Sequence, residues 1–276
     1  MGQNKIQDYK QEFMGDIRLA DMVLVGLGEE FDDLRNIRDA EGYVQGRELL
    51  ADSDHSFLIP TWQRMFREAV PEETQKLKHG LQKLIDCLAE KNYFVVSVTT
   101  NPEIAQLPWR EGRLVMPCGS DLRCQCDASC EKHLRLMARR EQEVVREQLQ
   151  KWKQAAFQNS SEFLSRALGT CSACGNRLEL NNIYNGSYDE NGYLSDWKRY
   201  TKWLQGSLNK KIVVLELGVG MTFPSVIRFP FEKIAYFNQK AIFYRVNENL
   251  YQMTEELAEK GYGIAKNAID WLQNLC

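Results

Sequence analysis

Apolar positions along this chain follow two periods. Short runs rich in β-branched and aromatic residues, at 22–26 (MVLVG), 93–101 (YFVVSVTTN), 211–218 (KIVVLELG), 234–237 (IAYF) and 241–247 (AIFYRVN), read as buried strands. Between them the period is helical. Residues 4–19 predict an amphipathic helix, 62–90 a helical stretch interrupted near Pro71 and Gly80, and 263–275 a return to helix. Strands alternating with helices predict an α/β fold, a doubly wound parallel sheet of the Rossmann type, whose ligands bind beyond the carboxyl ends of the strands. Three such ends carry suggestive residues: GLGEEF at 26–31, TTNPEI at 99–104 and GVGMTFP at 218–224. The last belongs to a stretch, 215–231, that reads as a strand stopping at two glycines and running into a proline-started helix. That device brings backbone N–H groups up to a phosphate or ribose.

Composition narrows the class. At 276 residues, 43% hydrophobic and 26% charged, the chain is globular and long enough for one large domain and a smaller one. No run approaches the roughly 20 apolar residues of a membrane span, and the first residues lack the apolar core of a signal peptide, so the expected location is cytoplasmic, with no membrane partner. A formal net charge of −3 gives no global attraction to nucleic acid.

Eight cysteines in a cytosolic chain point to metal or redox chemistry more than to structural disulfides. Cys87 and Cys276 stand alone in helical patterns and read as packing residues. The others cluster. Cys126 with Cys130, and Cys171 with Cys174, have the knuckle spacing that lets one turn aim two thiolates at a tetrahedral zinc. Free thiols or a redox Cys-x-x-Cys are the rival readings, and Cys124 is the rival ligand. These cysteines lie between the second and third clear strands and so predict an insertion. The sheet domain is expected over 1–117 and 205–276, and a zinc-binding small domain over 118–204. Between the knuckles, residues 131–157 predict a long helix with seven Lys or Arg against four Glu and a stripe of Leu134, Met137, Val145, Leu149, Trp152 and Ala156. It reads as a solvated helix packed on the small domain, or as a basic docking surface.

Taken in order, these motifs resemble the sirtuin family: a strand ending in Gly-x-Gly, one ending in Thr-x-Asn, two Cys pairs, a second strand ending in Gly-x-Gly, and a strand ending in Asn. The segment LELGVG with the following P, IR and PF is similar to bacterial sirtuins of the class M type. The resemblance implies a zinc-ribbon small domain and NAD between the two domains. It places Gly26 and Gly28 beside the pyrophosphate, Asn101 at the nicotinamide ribose with Glu103 where an Asp is usual, Gly218 and Gly220 in the second glycine loop, and Asn247 near the adenine-side ribose. Cys126, Cys130, Cys171 and Cys174 become the zinc ligands.

Two departures qualify it. Glu29, Glu30 and Asp32 follow the first loop where the family has small residues and a Phe-Arg pair. Each carboxylate about 4 Å from a phosphate opposes binding by roughly 1 kcal/mol in water and roughly 4 at an effective dielectric of 20, unless it points outward or caps the N–H groups of the following helix. Cys118 stands where deacylating sirtuins carry His and class M members Gln. A thiol of pKa about 8.5 is a poor general base, so Cys118 reads as a packing residue, a nucleophile or a stray ligand. His55, His79 and His133 sit in polar or charged settings and read as surface residues, although His133, three residues after Cys130, is a rival zinc ligand. The resulting expectation is NAD-dependent ADP-ribosyl transfer with Asn101 and Cys118 at the catalytic end. Its acceptor would be a protein, which in the class M relatives implies a lipoyl-carrier protein. The alternatives are a catalytically silent nucleotide- or partner-binding module and a thiol redox sensor.

Overall fold

The computed structural model describes residues 9–32, 37, 39–128, 130, 134–273 and 275. Six strands form one sheet: β1 (Met22–Leu27), β2 (Asn92–Ser97), β3 (Leu114–Val115), β7 (Ile212–Leu217), β8 (Ala241–Val246) and β9 (Gly261–Ile264). Their order is β3-β2-β1-β7-β8-β9, and every pairing is parallel. A run such as MVLVGL can be apolar throughout because both faces are covered. Val23, Val25, Val213 and Leu215 face the core shared with helices Lys10–Leu19, Pro71–Leu88 and Ala268–Gln273. Leu24, Phe94, Val96 and Val214 face helices Leu194–Gln205 and Arg228–Phe237. Each such side chain contributes about 1.5–3 kcal/mol by leaving water.

The second sheet is small and antiparallel, β5-β4-β6, from β4 (Gly119–Cys126), β5 (Arg135–Leu136) and β6 (Leu178–Asn182). It follows β3 directly and precedes β7, so the chain leaves and re-enters the parallel sheet around the cysteines. Helix Arg139–Gln154 buries Val145, Leu149 and Trp152. Trp152 meets Trp62 edge-on at 5.7 Å, which ties this helix to helix Ile59–Glu68. Its charged face is paired within the helix, Arg139 with Glu143 and Arg140 with Glu143 and Glu147, and across to helix Ile59–Glu68, Arg146 with Glu68. The opposite face, of which only Val145, Leu149 and Trp152 of the expected stripe are helical and buried, packs on helices Ile59–Glu68 and Ser160–Leu164.

Several expectations need correction. Residues 234–237 are not a strand but the end of helix Arg228–Phe237: Phe231 and Ala235 are buried four residues apart while Phe237 is exposed, and a four-residue apolar run cannot distinguish the two states. That helix begins at Arg228, not at Pro224. The segment expected as C-terminal helix starts with β9 and becomes helix only at Ala268. Gly80 does not interrupt helix Pro71–Leu88, because Leu272 and Gln273 press onto it at distances a side chain would block. The break at Pro71 is real, since proline starts that helix. The first helix spans Lys10–Leu19, and the expected long helix begins at Arg139, after β5. Residues 4–8 and 131–133, with His133, and Cys276 lie outside the described residues.

Candidate functional site

The strand order reverses between β1 and β7, which makes their carboxyl ends the switch point of the sheet. The first loop leaves β1 at Gly28 and the second leaves β7 at Gly218, whose φ of 61° is a left-handed conformation that favours glycine. The two loops touch. Gly28 donates its N–H to Leu217 O at 2.8 Å, and Glu30 donates its own to Gly218 O at 3.2 Å. A Cβ on Gly28 would lie 2.2 Å from Val219 Cα, so only glycine permits this approach. Gly26 lies within β1, where a Cβ would meet Ile227 and Phe231, and its role here is to seat helix Arg228–Phe237 on the strand.

Both glutamates that follow are engaged by backbone N–H groups. Glu29 Oε2 accepts from Gly220 at 2.6 Å and Oε1 from Thr222 at 3.2 Å. Glu30 Oε2 accepts from Ala268 at 2.8 Å and from Asn267 Nδ2 at 3.2 Å, and Oε1 from Glu248 at 3.2 Å. The two carboxylates thereby reach the loops after β7, β8 and β9. Among the described residues neither glutamate caps the helix turn that follows it, the capping expected from sequence; both instead satisfy N–H groups of loops far away in the chain.

Asn101 is fully buried. Its Oδ1 accepts from Glu103 N at 3.1 Å, capping helix Pro102–Gln106, and its Nδ2 donates to Phe31 O at 3.0 Å. Glu103 pairs with Lys78 at 2.5 Å. Asn247 Oδ1 accepts from Asn249 and Leu250, and its Nδ2 donates to Val219 O at 3.1 Å, binding the β8 loop to the β7 loop. Cys118 is buried beside the second apolar core, and burial pushes its thiol well above the ordinary range, helped by Asp32 and Glu29. It carries its proton at neutral pH and cannot act as a base.

Sequence reasoning missed most of the charged scaffold. Asp32 accepts the N–H of Thr100 with both oxygens, at 3.1 and 3.0 Å, joining the first loop to the end of β2. Arg67, 2% exposed, gives Nη1 to Asp32 O, while its Nε and Nη2 have no hydrogen-bond partner among the described residues. Burial lowers its pKa against the pull of Asp32 and Asp121. Burial also raises the Asp121 carboxyl, opposed by Arg64 and Arg67. Glu216, fully buried, binds Arg245 Nε at 2.9 Å and Arg228 at 3.4 Å, and Arg245 reaches Glu232 at 2.7 Å. Arg228 also donates to Val219 O and Leu250 O, so it pins the β7 and β8 loops from beneath. One signal for this cluster was available: a Glu inside IVVLEL and an Arg inside AIFYRV stand at matching register in strands that are otherwise apolar.

The cysteines form a second site. Among the described residues, Cys126, Cys130, Cys171 and Cys174 bring their sulfurs within 4.8 Å of one another. Individual separations are 3.3 Å for Cys126 to Cys174, 3.6 Å for Cys130 to Cys171 and 3.0 Å for Cys171 to Cys174. Thiolates 2.3 Å from a tetrahedral zinc lie about 3.8 Å apart, so the set fits that ion and is far from disulfide contact. Cys174 N–H points at Cys171 Sγ at 3.2 Å, the donor arrangement that favours a thiolate. Cys124 is buried in β4 outside this group, Cys87 packs against Met14, His55 lies near Ser165, and His79 is exposed.

A parallel six-stranded sheet with paired glycine loops, interrupted in sequence between β3 and β7 by a cysteine-bearing antiparallel unit, defines a sirtuin-type fold. The comparison with solved structures bears this out: Sir2 bound to acetylated peptide matches 96% of this chain and 96% of its own at a TM-score of 0.55 with 12% identity, and Sir2Tm bound to a propionylated peptide matches with the same coverage at 0.53. A Sir2 homologue variant in complex with ADP-ribose matches 96% of this chain and 94% of its own, also at 0.53 and 12% identity. Among curated proteins, the protein ADP-ribosyltransferase of Staphylococcus aureus (strain Mu50) is 22% identical over 133 residues. That match spans 48% of this chain and 40% of the relative. No family model matches the chain. Among the described residues no helix is long and apolar enough to cross a membrane.

Proposed function

We propose that this chain is an NAD-directed protein of sirtuin type that transfers ADP-ribose to a protein acceptor and does not deacylate lysine. The carrying observation is Cys118: the position that supplies a proton acceptor in deacylating sirtuins holds a buried, protonated thiol. The distant similarity to a protein named as an ADP-ribosyltransferase, and the sirtuin-type fold shared with complexes of ADP-ribose and of peptides, support the same reading. Asn101 is the polar residue assigned to the nicotinamide end, Gly28, Gly218, Gly220 and Asn247 to the remainder, and Cys126, Cys130, Cys171 and Cys174 to a structural zinc. A division into 1–117 with 205–276, and 118–204, belongs to this proposal, as does a lipoyl-carrier acceptor.

The test is nicotinamide release by zinc-loaded protein given NAD and candidate acceptors, beside a deacylation assay on acylated lysine peptide. Release without deacylation is the expected result. Asn101→Ala should lower release by roughly two orders of magnitude, the scale of losing one preorganised donor. No release above a protein-free blank sinks the transferase reading. A silent nucleotide- or partner-binding module is then the better account, and one observation favours it: Glu29 already takes two N–H groups of the second glycine loop. With those donors satisfied, the phosphates of a dinucleotide would have to displace Glu29 to use them.

A further inference from the structure

We infer that Glu29 is an internal anion seated in the phosphate-accepting loop of this fold, a latch that closes the crevice between β1 and β7 against the diphosphate of a nucleotide. The inference rests on the sirtuin-type reading of the crevice and concerns what fills it.

Both Glu29 oxygens are used, each by a separate N–H of one loop, at Gly220 and Thr222. Successive backbone N–H groups that converge on one anion form the concavity by which loops of this kind hold phosphate oxygens. The loop is also shaped around the glutamates. A Cβ on Gly220 would lie 3.2 Å from Glu29 Oε2, and one on Gly218 would lie 2.6 Å from Glu30 Cβ. The Gly-x-Gly of the second loop and the Glu-Glu of the first therefore interlock in register, Glu30 against Gly218 and Glu29 against Gly220. Close backbone contact of Gly28 with Gly218 and Val219 leaves no space between the loops at this point. Three independent features, the donors, the glycines and the backbone approach, describe one closed latch.

A plain structural clip would look similar, and the two differ in what happens when the charge is removed. Loss of a clip loosens the loop and gains nothing, whereas loss of a competing anion frees donors for a ligand. Hydrogen bonds to a charged group are stronger than neutral ones, so the freed site should bind a diphosphate roughly tenfold tighter or better.

Two readouts on full-length, zinc-loaded protein test this: amide hydrogen exchange at Gly220 and Thr222, and calorimetric titration with inorganic diphosphate and with ADP-ribose at fixed ionic strength. Glu29→Gln, which keeps shape and removes charge, should speed exchange of both amides and tighten diphosphate binding at least about tenfold. Glu29→Ala should do the same, and guards against a glutamine that re-forms the contact. Glu29→Asp should bind as weakly as wild type. If the Gly220 amide exchanges as fast in wild type as in the variants, or if neither variant binds diphosphate more tightly than wild type, the latch is overturned. If the variants gain diphosphate but not ADP-ribose, the latch stands and the NAD reading of the site falls.

Discussion

The molecule carries two cradles, and they are in opposite states. At the cysteine cluster four sulfurs converge to within 4.8 Å of one another, and like-charged thiolates there are mutually repulsive without a cation between them. At the switch point the donors are backbone N–H groups, and the chain's own carboxylates have already satisfied them. The first arrangement is incomplete without a ligand; the second is complete and must be undone to accept one. Convergent donors are therefore not enough to mark a binding site as open.

The largest effect should come from the incomplete cradle. Protein purified without chelator should contain about one zinc per chain, and Cys171→Ser should abolish its retention and unfold the small sheet, since the free energy of a structural zinc, on the order of 10 kcal/mol, is folding free energy. Metal analysis and thermal melting report both. Cys87→Ser should leave zinc content unchanged. Less than a few tenths of an equivalent after refolding with zinc would erase the contrast.

The complete cradle rests on the charge cluster beneath it. Glu216→Ala leaves Arg245 and Arg228 buried without their shared carboxylate and should cost about 3–5 kcal/mol, read from the urea midpoint. A loss below about 1 kcal/mol would mean that the β7 and β8 loops are held without it.

A smaller effect concerns Cys118, whose folded pKa is raised by burial, by Asp32 and by Glu29. The proton stays on in the folded state and leaves the unfolded chain above about pH 9, so the stabilisation is present below that pH and fades as pH climbs. Buried Cys124 shifts the same way. Cys118→Ala should remove about 1.4 kcal/mol per pH unit from the alkaline slope of unfolding free energy just above pH 9. An unaltered slope would place the thiol in water and reopen its chemistry.

Legibility in the sequence followed the range of the interactions. The buried strands and the four-cysteine set were readable because apolar runs and knuckle spacings are local. The strands of the small sheet were not read, since β4 is polar at several positions and takes its definition from pairing with β6. Residues 234–237 were misread because four apolar residues suit either period. The engagement of Glu29 with Gly220 joins positions far apart in sequence, and nothing near either residue announces the partner. Asp32 with Thr100, and Arg67 beneath them, were hidden for the same reason.

The pairing of Glu216 with Arg245 also governs which sequence changes the fold can accept. Because the two are register neighbours on adjacent strands and share Arg228 and Glu232, a change at either alone strands a charge in the interior, whereas a matched apolar replacement of the whole quartet strands none. Glu216 and Arg245 thus act as one unit: a change at either is costly unless its partner changes with it, and the backbone ends held at the mouth of the crevice share that constraint.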